Sequence, residues 1–239
     1  LKENHLISPA LIERKRYGAA LINEDHSVSV MINEEDHLRE QCIIKGLQLG
    51  RAYDKISEID SKIGRSIKFA YDEQLGYLTA CPTNLGTGLR ASVMLFLPAL
   101  TINGSMREVV RSISRLGLTV RGMYGEGSEA EGYMYQVSNE VTLGVSEEEI
   151  LSQVDEVARK VRSLENADRD RLKRGQSRLA VKDKCMRAYG VITNCVVLSS
   201  GELASLASDV KLGACLGYIP ISDVSAVDDL IVAMQPYNI

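Results

Sequence analysis

The apolar positions change rhythm several times along the chain, and each change marks an element. Residues 18–32 read as a hairpin: Ala19-Ala20-Leu21-Ile22, a polar Asn23-Glu24-Asp25-His26 turn, then Ser27 to Ile32, which opens with polar/apolar alternation. A short apolar run, Cys42-Ile43-Ile44, is predicted to continue the sheet, and within Leu47 to Ile67 the residues Leu49, Ala52, Ile56, Ile59 and Ile63 recur at helical spacing. Gly76 to Ala80 and Ser92 to Leu97 are predicted strands flanking an irregular stretch, and a helix over 105–116 presents Val109, Val110, Ile113 and Leu116 on one face. Leu118-Thr119-Val120 leads as a strand into a glycine-rich segment, and Tyr133 to Val137 returns as another. Ser146 is a predicted N-cap with acids at 147–149 behind it, after which Ile150, Val154, Val157, Val161 and Leu164 step by four and three. The C-terminal third is mostly helix, and the charge-dense segment 165–176 reads as a solvated helix face or a mobile connection. Strand, loop and helix alternate without a strict βαβ repeat.

Composition narrows the picture. At 239 residues and 45% apolar, the chain can bury a full core without disulfides or metals, and one large domain is the expected organisation. The 32 acids and 28 bases are intermixed and leave a net charge of −4, so there is no basic field for nucleic acid. Five cysteines form no C-x-x-C pair and leave one over, which fits a reducing compartment; a cytoplasmic protein is expected. No apolar run approaches the roughly 18 to 20 residues of a membrane span, and no signal-peptide pattern opens the chain. The first residue is not Met, which reads as part of a longer chain.

Two stretches do not read as core. Cys81-Pro82-Thr83-Asn84-Leu85-Gly86-Thr87-Gly88-Leu89-Arg90 combines turn formers, small hydroxyls and one fixed cation, as a loop built around an anion does. Asn33-Glu34-Glu35-Asp36-His37-Leu38-Arg39 places three carboxylates ahead of a His and an Arg. Each has an ordinary reading: an acid run is commonly a solvated turn, a glycine-rich stretch a plain turn, and a lone cysteine a small buried apolar group. Taken together they fit one site for a cation and one for a phosphate. Paired carboxylates such as Glu35 and Glu126 match the planar fork of a guanidinium, and Arg39, Arg90 and Arg121 each follow directly on a motif. Gly125-x-Gly127-x-x-Ala130 resembles a dinucleotide fingerprint only as a string, because a strand follows it and Glu126 and Glu129 would repel a pyrophosphate. There is no G-x-x-x-x-G-K-[ST] and no zinc-ligand spacing.

The acidic and the Cys-Pro stretches resemble the two signatures of the phosphagen (guanidino) kinases. Arg90-Ala91-Ser92-Val93-Met94 and Arg121 to Ala130 resemble the bacterial protein-arginine kinase branch of that family (McsB type), and the similarity runs from His5-Leu6-Ile7-Ser8-Pro9 to the helices near the C-terminus. The resemblance implies an α+β catalytic domain, a mainly antiparallel sheet flanked by helices with a helical C-terminal part, occupying residues 1–239. It implies ATP-dependent phosphorylation of arginine side chains in proteins. Glu35 and Glu126 would grip and deprotonate the guanidinium, with Cys81 beside it. Arg39, Arg90 and Arg121 would hold the nucleotide phosphates, with Ala91, Ser92, Val93, Met94, Gly122, Met123, Tyr124 and Gly125 lining the same site and His5 near the nucleotide. Mg2+ would arrive on ATP, held by phosphates and water, with no protein residues assigned as metal ligands. It further implies stress-response clients, and is compatible with an activator protein and a homodimer. The family's N-terminal helical domain and its distal phosphoarginine pocket have no counterpart in these residues, which predicts weak or absent turnover by the chain alone. Two rival readings stay open: a kinase of a free guanidino compound such as arginine, and a non-catalytic module that binds arginine or phosphoarginine.

Overall fold

The computed structural model describes residues 6–13, 16–122 and 131–234. In chain order the elements are helix α1 (Pro9–Glu13), strands β1 (Ala19–Ile22), β2 (Val28–Ile32) and β3 (Leu38–Cys42), helix α2 (Leu49–Gly64), short strands β4 (Tyr71–Asp72) and β5 (Gly76–Tyr77), and a 3-10 turn (Pro82–Asn84). Then come β6 (Ser92–Phe96), α3 (Pro98–Ile102), α4 (Met106–Ser114), β7 (Leu118–Gly122), a second 3-10 turn (Glu131–Tyr133) and β8 (Met134–Asn139). Four helices finish the chain: α5 (Glu147–Arg174), α6 (Arg178–Asn194), α7 (Ser200–Cys215) and α8 (Ser225–Ala233). The polypeptide divides into two units, one of Leu1–Val93 with Ser138–Glu156, the other of Met94–Val137 with Val157–Ile239. It passes from one to the other within β6, β8 and α5.

The first unit is built on an antiparallel meander in the order β1-β2-β3. The central strand β2 is covered on both faces, burying Val28, Val30 and Met31, whereas the edge strand β1 leaves Leu21 63% exposed. The predicted sheet continuation at 42–44 begins earlier than the apolar run implies. Strand β3 occupies Leu38–Cys42, pairing Leu38 with Ile32 and Cys42 with Val28, and Ile43 N–H closes the ladder on the Ser27 carbonyl at 2.8 Å. Its sequence is too polar to announce a strand; pairing with β2 and packing of α2 against it impose one. The strand predicted over 76–80 is cut to β5, beyond which the Thr79 hydroxyl donates to the Cys81 carbonyl at 2.8 Å.

The second unit carries β7, the helices α3, α4 and α6 to α8, and a core of Ala99, Leu172, Val181, Cys185, Ala188, Val210, Leu212, Leu216 and Ile219. Helix α4 buries Val109 and Ile113 as its spacing predicts, with Val110 half-buried and Met106 buried as well, but Leu116 lies beyond its end and is exposed. Helices α6 and α7 approach closely at Gly213, where a Cβ would stand 2.9 Å from that of Cys185. The 165–176 segment is a largely exposed helix face, as one reading of its charge expects, but two of its acids are not solvated. It is helical through Arg174, and Glu165 and Asp168 are only 2% and 3% exposed. Glu165 accepts hydrogen bonds from the Ala99 and Leu100 amides at 3.1 and 3.0 Å, which are first-turn donors of α3 without an intrahelical partner, and from Arg169 Nε at 2.7 Å. Burial nevertheless outweighs the Leu100 amide, Arg169 and the Ala99 amide, and its carboxyl titrates above the ordinary Glu value. Asp168 accepts from Ser105 Oγ at 3.0 Å and Arg171 NH1 at 2.7 Å.

Candidate active site

The acidic motif is the connection between β2 and β3. It is closed by the Asn33 N–H on the His37 carbonyl at 3.0 Å, and Asn33 takes a left-handed φ of 55°, a conformation that asparagine tolerates better than most side chains. Its side-chain amide also donates to the Tyr17 carbonyl at 2.9 Å. The three acids have three different fates. Glu34 turns inward and is 4% exposed, accepting from Arg39 NH1 at 3.2 Å and from the Glu35 amide at 2.8 Å. Burial raises its pKa, but the Ser8 hydroxyl, the Glu35 amide and the Arg39 guanidinium together hold it below the usual Glu value. Glu35 points out and is exposed; among the described residues nothing bonds to its carboxylate. Asp36 accepts the Ala80 amide at 2.6 Å, which ties the hairpin to the residue before Cys81. One bond therefore joins the two motifs, with Glu35 adjacent in sequence to one end of it and Cys81 to the other.

The Cys-Pro stretch is held as a rigid loop. Pro82 starts the 3-10 turn, whose fixed φ suits a first helical position, and Cys81 Sγ lies 3.0 Å from Thr83 Oγ1. Gly86 bridges back to Tyr77 through bonds of 2.8 and 3.3 Å. With φ at 108° and Thr142 O 2.3 Å from where its Cβ would stand, Gly86 admits no side chain. The Thr142 hydroxyl lies within bonding distance of the Thr83 and Leu85 carbonyls, at 2.9 and 2.8 Å, and its carbonyl accepts from the Thr87 amide at 3.0 Å. Asn139 completes the brace, accepting from the Ala91 amide at 2.8 Å and donating to the Leu89 carbonyl at 2.9 Å. Its amide also donates to the Val141 carbonyl at 3.1 Å.

Arg39, at the start of β3, keeps 48% of its side chain exposed despite its bond to Glu34. Arg90 is exposed and donates to Ser138 Oγ at 3.2 Å. Ala91 is buried, Ser92 and Val93 are half-buried and Met94 is exposed along β6. Arg121 is exposed near the end of β7, followed by a half-buried Gly122. Met123, Tyr124, Gly125 and Glu126, with His5, lie outside the described residues. Thus Glu35, Arg39 and Cys81 come from motifs that the fold joins directly. Glu34, Asp36, Asn139 and Thr142, which do the joining and bracing, were not among the predicted site residues. Asn139 and Thr142 carry no motif that would have marked them.

Among the described residues no cluster of His, Cys, Asp or Glu has the make-up of a metal site, and no helix is long and apolar enough to cross a membrane. Residues 1–168 match the family described as ATP:guanido phosphotransferase, C-terminal catalytic domain, and residues 178–239 match the protein-arginine kinase McsB C-terminal domain. A protein-arginine kinase of Caldanaerobacter subterraneus subsp. tengcongensis is 48% identical over all 239 residues, which cover 70% of its length. One from Symbiobacterium thermophilum is 48% identical over 236 residues, 99% of this chain and 67% of its own, and one from Geobacillus stearothermophilus is 47% identical with 65% of its own length covered. The chain thus spans between 65% and 70% of these three relatives. Among solved structures, the duplicated taurocyamine kinase from Schistosoma mansoni with bound transition-state analogue components aligns at a TM-score of 0.58 and 29% identity, over 71% of this chain and 24% of that one. Lombricine kinase aligns at a TM-score of 0.50 and 34% identity, over 61% of this chain and 40% of that one. With these matches covering both its α+β catalytic region and its C-terminal helices, the chain belongs to the ATP:guanido phosphotransferase family.

Proposed function

We propose that this chain carries out ATP-dependent phosphoryl transfer to the guanidinium of arginine residues in proteins. A guanidinium has a pKa of roughly 12.5 to 13.8, so the attacking nitrogen has to surrender a proton as it bonds to phosphorus. Glu35 is the group that orients it and takes that proton, with Glu126 as its counterpart and Cys81 beside the nucleophile. Arg39, Arg90 and Arg121 bind the phosphates, Ala91 to Met94 and Gly122 to Gly125 line the nucleotide, and His5 lies near it. Transfer of this kind depends on alignment and on fixed cations where charge gathers, and one well-placed arginine is worth roughly 10³ to 10⁵ in rate. Mg2+ enters on ATP: the Glu34 carboxylate is engaged by Arg39 and Asp36 by the Ala80 amide, so phosphate oxygens and water are its natural ligands.

The observation that carries this reading is the Asp36 to Ala80 bond, which fastens the hairpin bearing Glu35 and Arg39 to the loop bearing Cys81. Residues 1–239 act as one catalytic region in the cytoplasm, on arginine-bearing protein substrates, with stress-response clients, an activator protein and a homodimer as further parts of the same proposal. The solved structures it resembles favour one rival, because taurocyamine and lombricine kinases are named for small guanidino compounds. Incubating the chain with Mg-ATP and either an arginine-rich protein or free arginine separates the two. The chain is run alone and fused to the part of the Caldanaerobacter relative that it does not cover, with acid-labile phosphoarginine read by mass spectrometry. Label on the protein is expected, stronger in the fusion; label on free arginine alone would defeat the proposal, and ligand binding without ATP turnover in either form would favour the non-catalytic module.

A further inference from the structure

Among the described residues of the second unit, Tyr133 is the one non-glycine residue with a left-handed φ. It holds a left-handed φ of 59° immediately after Gly132 at 72°, a conformation that is strained for a bulky side chain and persists only where the surroundings impose it. Those surroundings come from the C-terminal helices. The Tyr133 hydroxyl donates to Asp209 Oδ1 of α7 at 3.1 Å, and Lys184 of α6 donates to both, reaching Asp209 Oδ1 at 2.9 Å and the Tyr133 hydroxyl. Asp209 is buried, and Lys184 Nζ also stands 5.2 Å from the Tyr133 ring centroid. Gly132 fits so tightly that a Cβ there would meet Ser208 Oγ of α7 at 2.7 Å.

The same support reaches β6. The Tyr133 carbonyl accepts from the Leu97 amide at 2.9 Å, and the Tyr133 ring meets the Phe96 ring edge to face at 6.3 Å. Phe96 is in turn flanked by Lys211 Nζ of α7 at 4.6 Å and the Arg169 guanidinium of α5 at 5.9 Å. Phe96 ends the strand that carries Ser92, Val93 and Met94, and Tyr133 follows Glu126 by seven residues. The helices therefore grip the end of one predicted nucleotide-lining strand and the start of the strand that follows the glycine-rich segment.

We propose that Lys184, Asp209 and Tyr133 are positioning residues through which α6 and α7 set where the chain re-enters the sheet after the glycine-rich segment 121–130. None of them touches a reacting atom; they act through the backbone at Gly132 and Tyr133. This rests on the phosphoryl-transfer reading for its effect on rate, but not for the existence of the grip. The hydroxyl, the carboxylate and the ammonium each bond the other two, so loss of any one removes two of the three contacts that hold the strained turn.

The test uses Tyr133→Phe, which keeps the ring against Phe96, Asp209→Asn, Lys184→Gln and the charge-conserving Lys184→Arg. Arg187→Ala serves as control, since Arg187 pairs only with the exposed Asp183 on α6 among the described residues. In the fusion described above, the first three variants are expected to lower kcat roughly ten- to hundredfold, as a misplacement of about 1 Å does, with KM for ATP unchanged. Lys184→Arg recovers most of the loss, and the control matches the parent. In the 239-residue chain, hydrogen exchange of the amides from Tyr133 to Gln136 accelerates in the same three variants at unchanged global stability. Unchanged exchange and unchanged kcat overturn the proposal, as does a fall in activity that merely tracks the fraction of unfolded protein. If the parent fusion phosphorylates no guanidinium, the functional reading fails while the exchange measurement still decides whether the grip exists.

Discussion

The two units bury carboxylates under one rule and use them to opposite ends. In the second unit Glu165, Asp168 and Asp209 are buried and partnered, and each joins elements distant in sequence. In the first unit Glu34 is buried in the same manner, but its neighbour Glu35 stands exposed beside it. A buried charge survives only if it is partnered, so these acids mark architecture. An exposed acid on a turn rigidified by a buried one is the arrangement suited to chemistry, because its position is fixed while its lone pairs stay open.

Substitutions that separate architecture from chemistry sharpen this contrast. The largest effect is expected from Glu35→Gln, which removes the proton acceptor and lowers the rate of guanidinium phosphorylation by about 10² to 10⁴ while the melting temperature stays that of the parent. A variant that melts earlier would place Glu35 with the struts instead. Next comes Glu165→Ala, which strands the Ala99 and Leu100 amides and the half-buried Arg169; a loss of about 3 kcal/mol in urea unfolding is expected. Glu34→Ala should cost about 2 kcal/mol, less because Arg39 remains half in water, and it should also slow the reaction by releasing Arg39.

The smallest effect concerns pH. Burial, and then the charge of Asp60, push Glu40 up to about 7. The folded chain therefore holds this proton more tightly than the unfolded one between the ordinary Glu value of 4.5 and about 7. The stabilisation is complete below that window and is lost as pH rises through it. Glu40→Gln should flatten this part of the melting-temperature profile and, after allowance for solvent screening, stabilise the chain at pH 8 by about 1 kcal/mol. A profile as steep as the parent's would show that the carboxyl is not where the fold's proton uptake lies.

Periodicity located the helices well: the spacing of Leu49 to Ile63, of Val109 and Ile113, and of Ile150 to Val161 reports faces that pack, and those helices form there, although Leu164, the last of its series, is exposed. The motifs located the hairpin and the loop. What a single sequence could not disclose is which of two adjacent glutamates turns inward, since Glu34 and Glu35 are chemically identical and differ only in what meets them. Asn139 and Thr142 were equally silent. Their partners at Ala91 and Leu85 lie 48 and 57 residues away, and no local pattern encodes a bond across that distance. In segment 165–176 most residues are exposed on a helix, as its charge implies, but Glu165, Asp168 and Leu172 are buried, and Glu165 binds an amide 66 residues upstream that no local pattern announces.

The brace on the Cys-Pro loop also sets an order of events during synthesis. Leu89 and Ala91 leave the ribosome well before Asn139, and at roughly 5 to 20 residues per second the 48-residue interval between Ala91 and Asn139 lasts about 2 to 10 s. Throughout it the loop that carries Cys81 has its own turn residues but not its fastening, and the whole of β7 is translated before that fastening arrives. A nascent chain stalled short of Val141 therefore carries that thiol on an unfinished loop, before Asn139 and Thr142 can both fasten it.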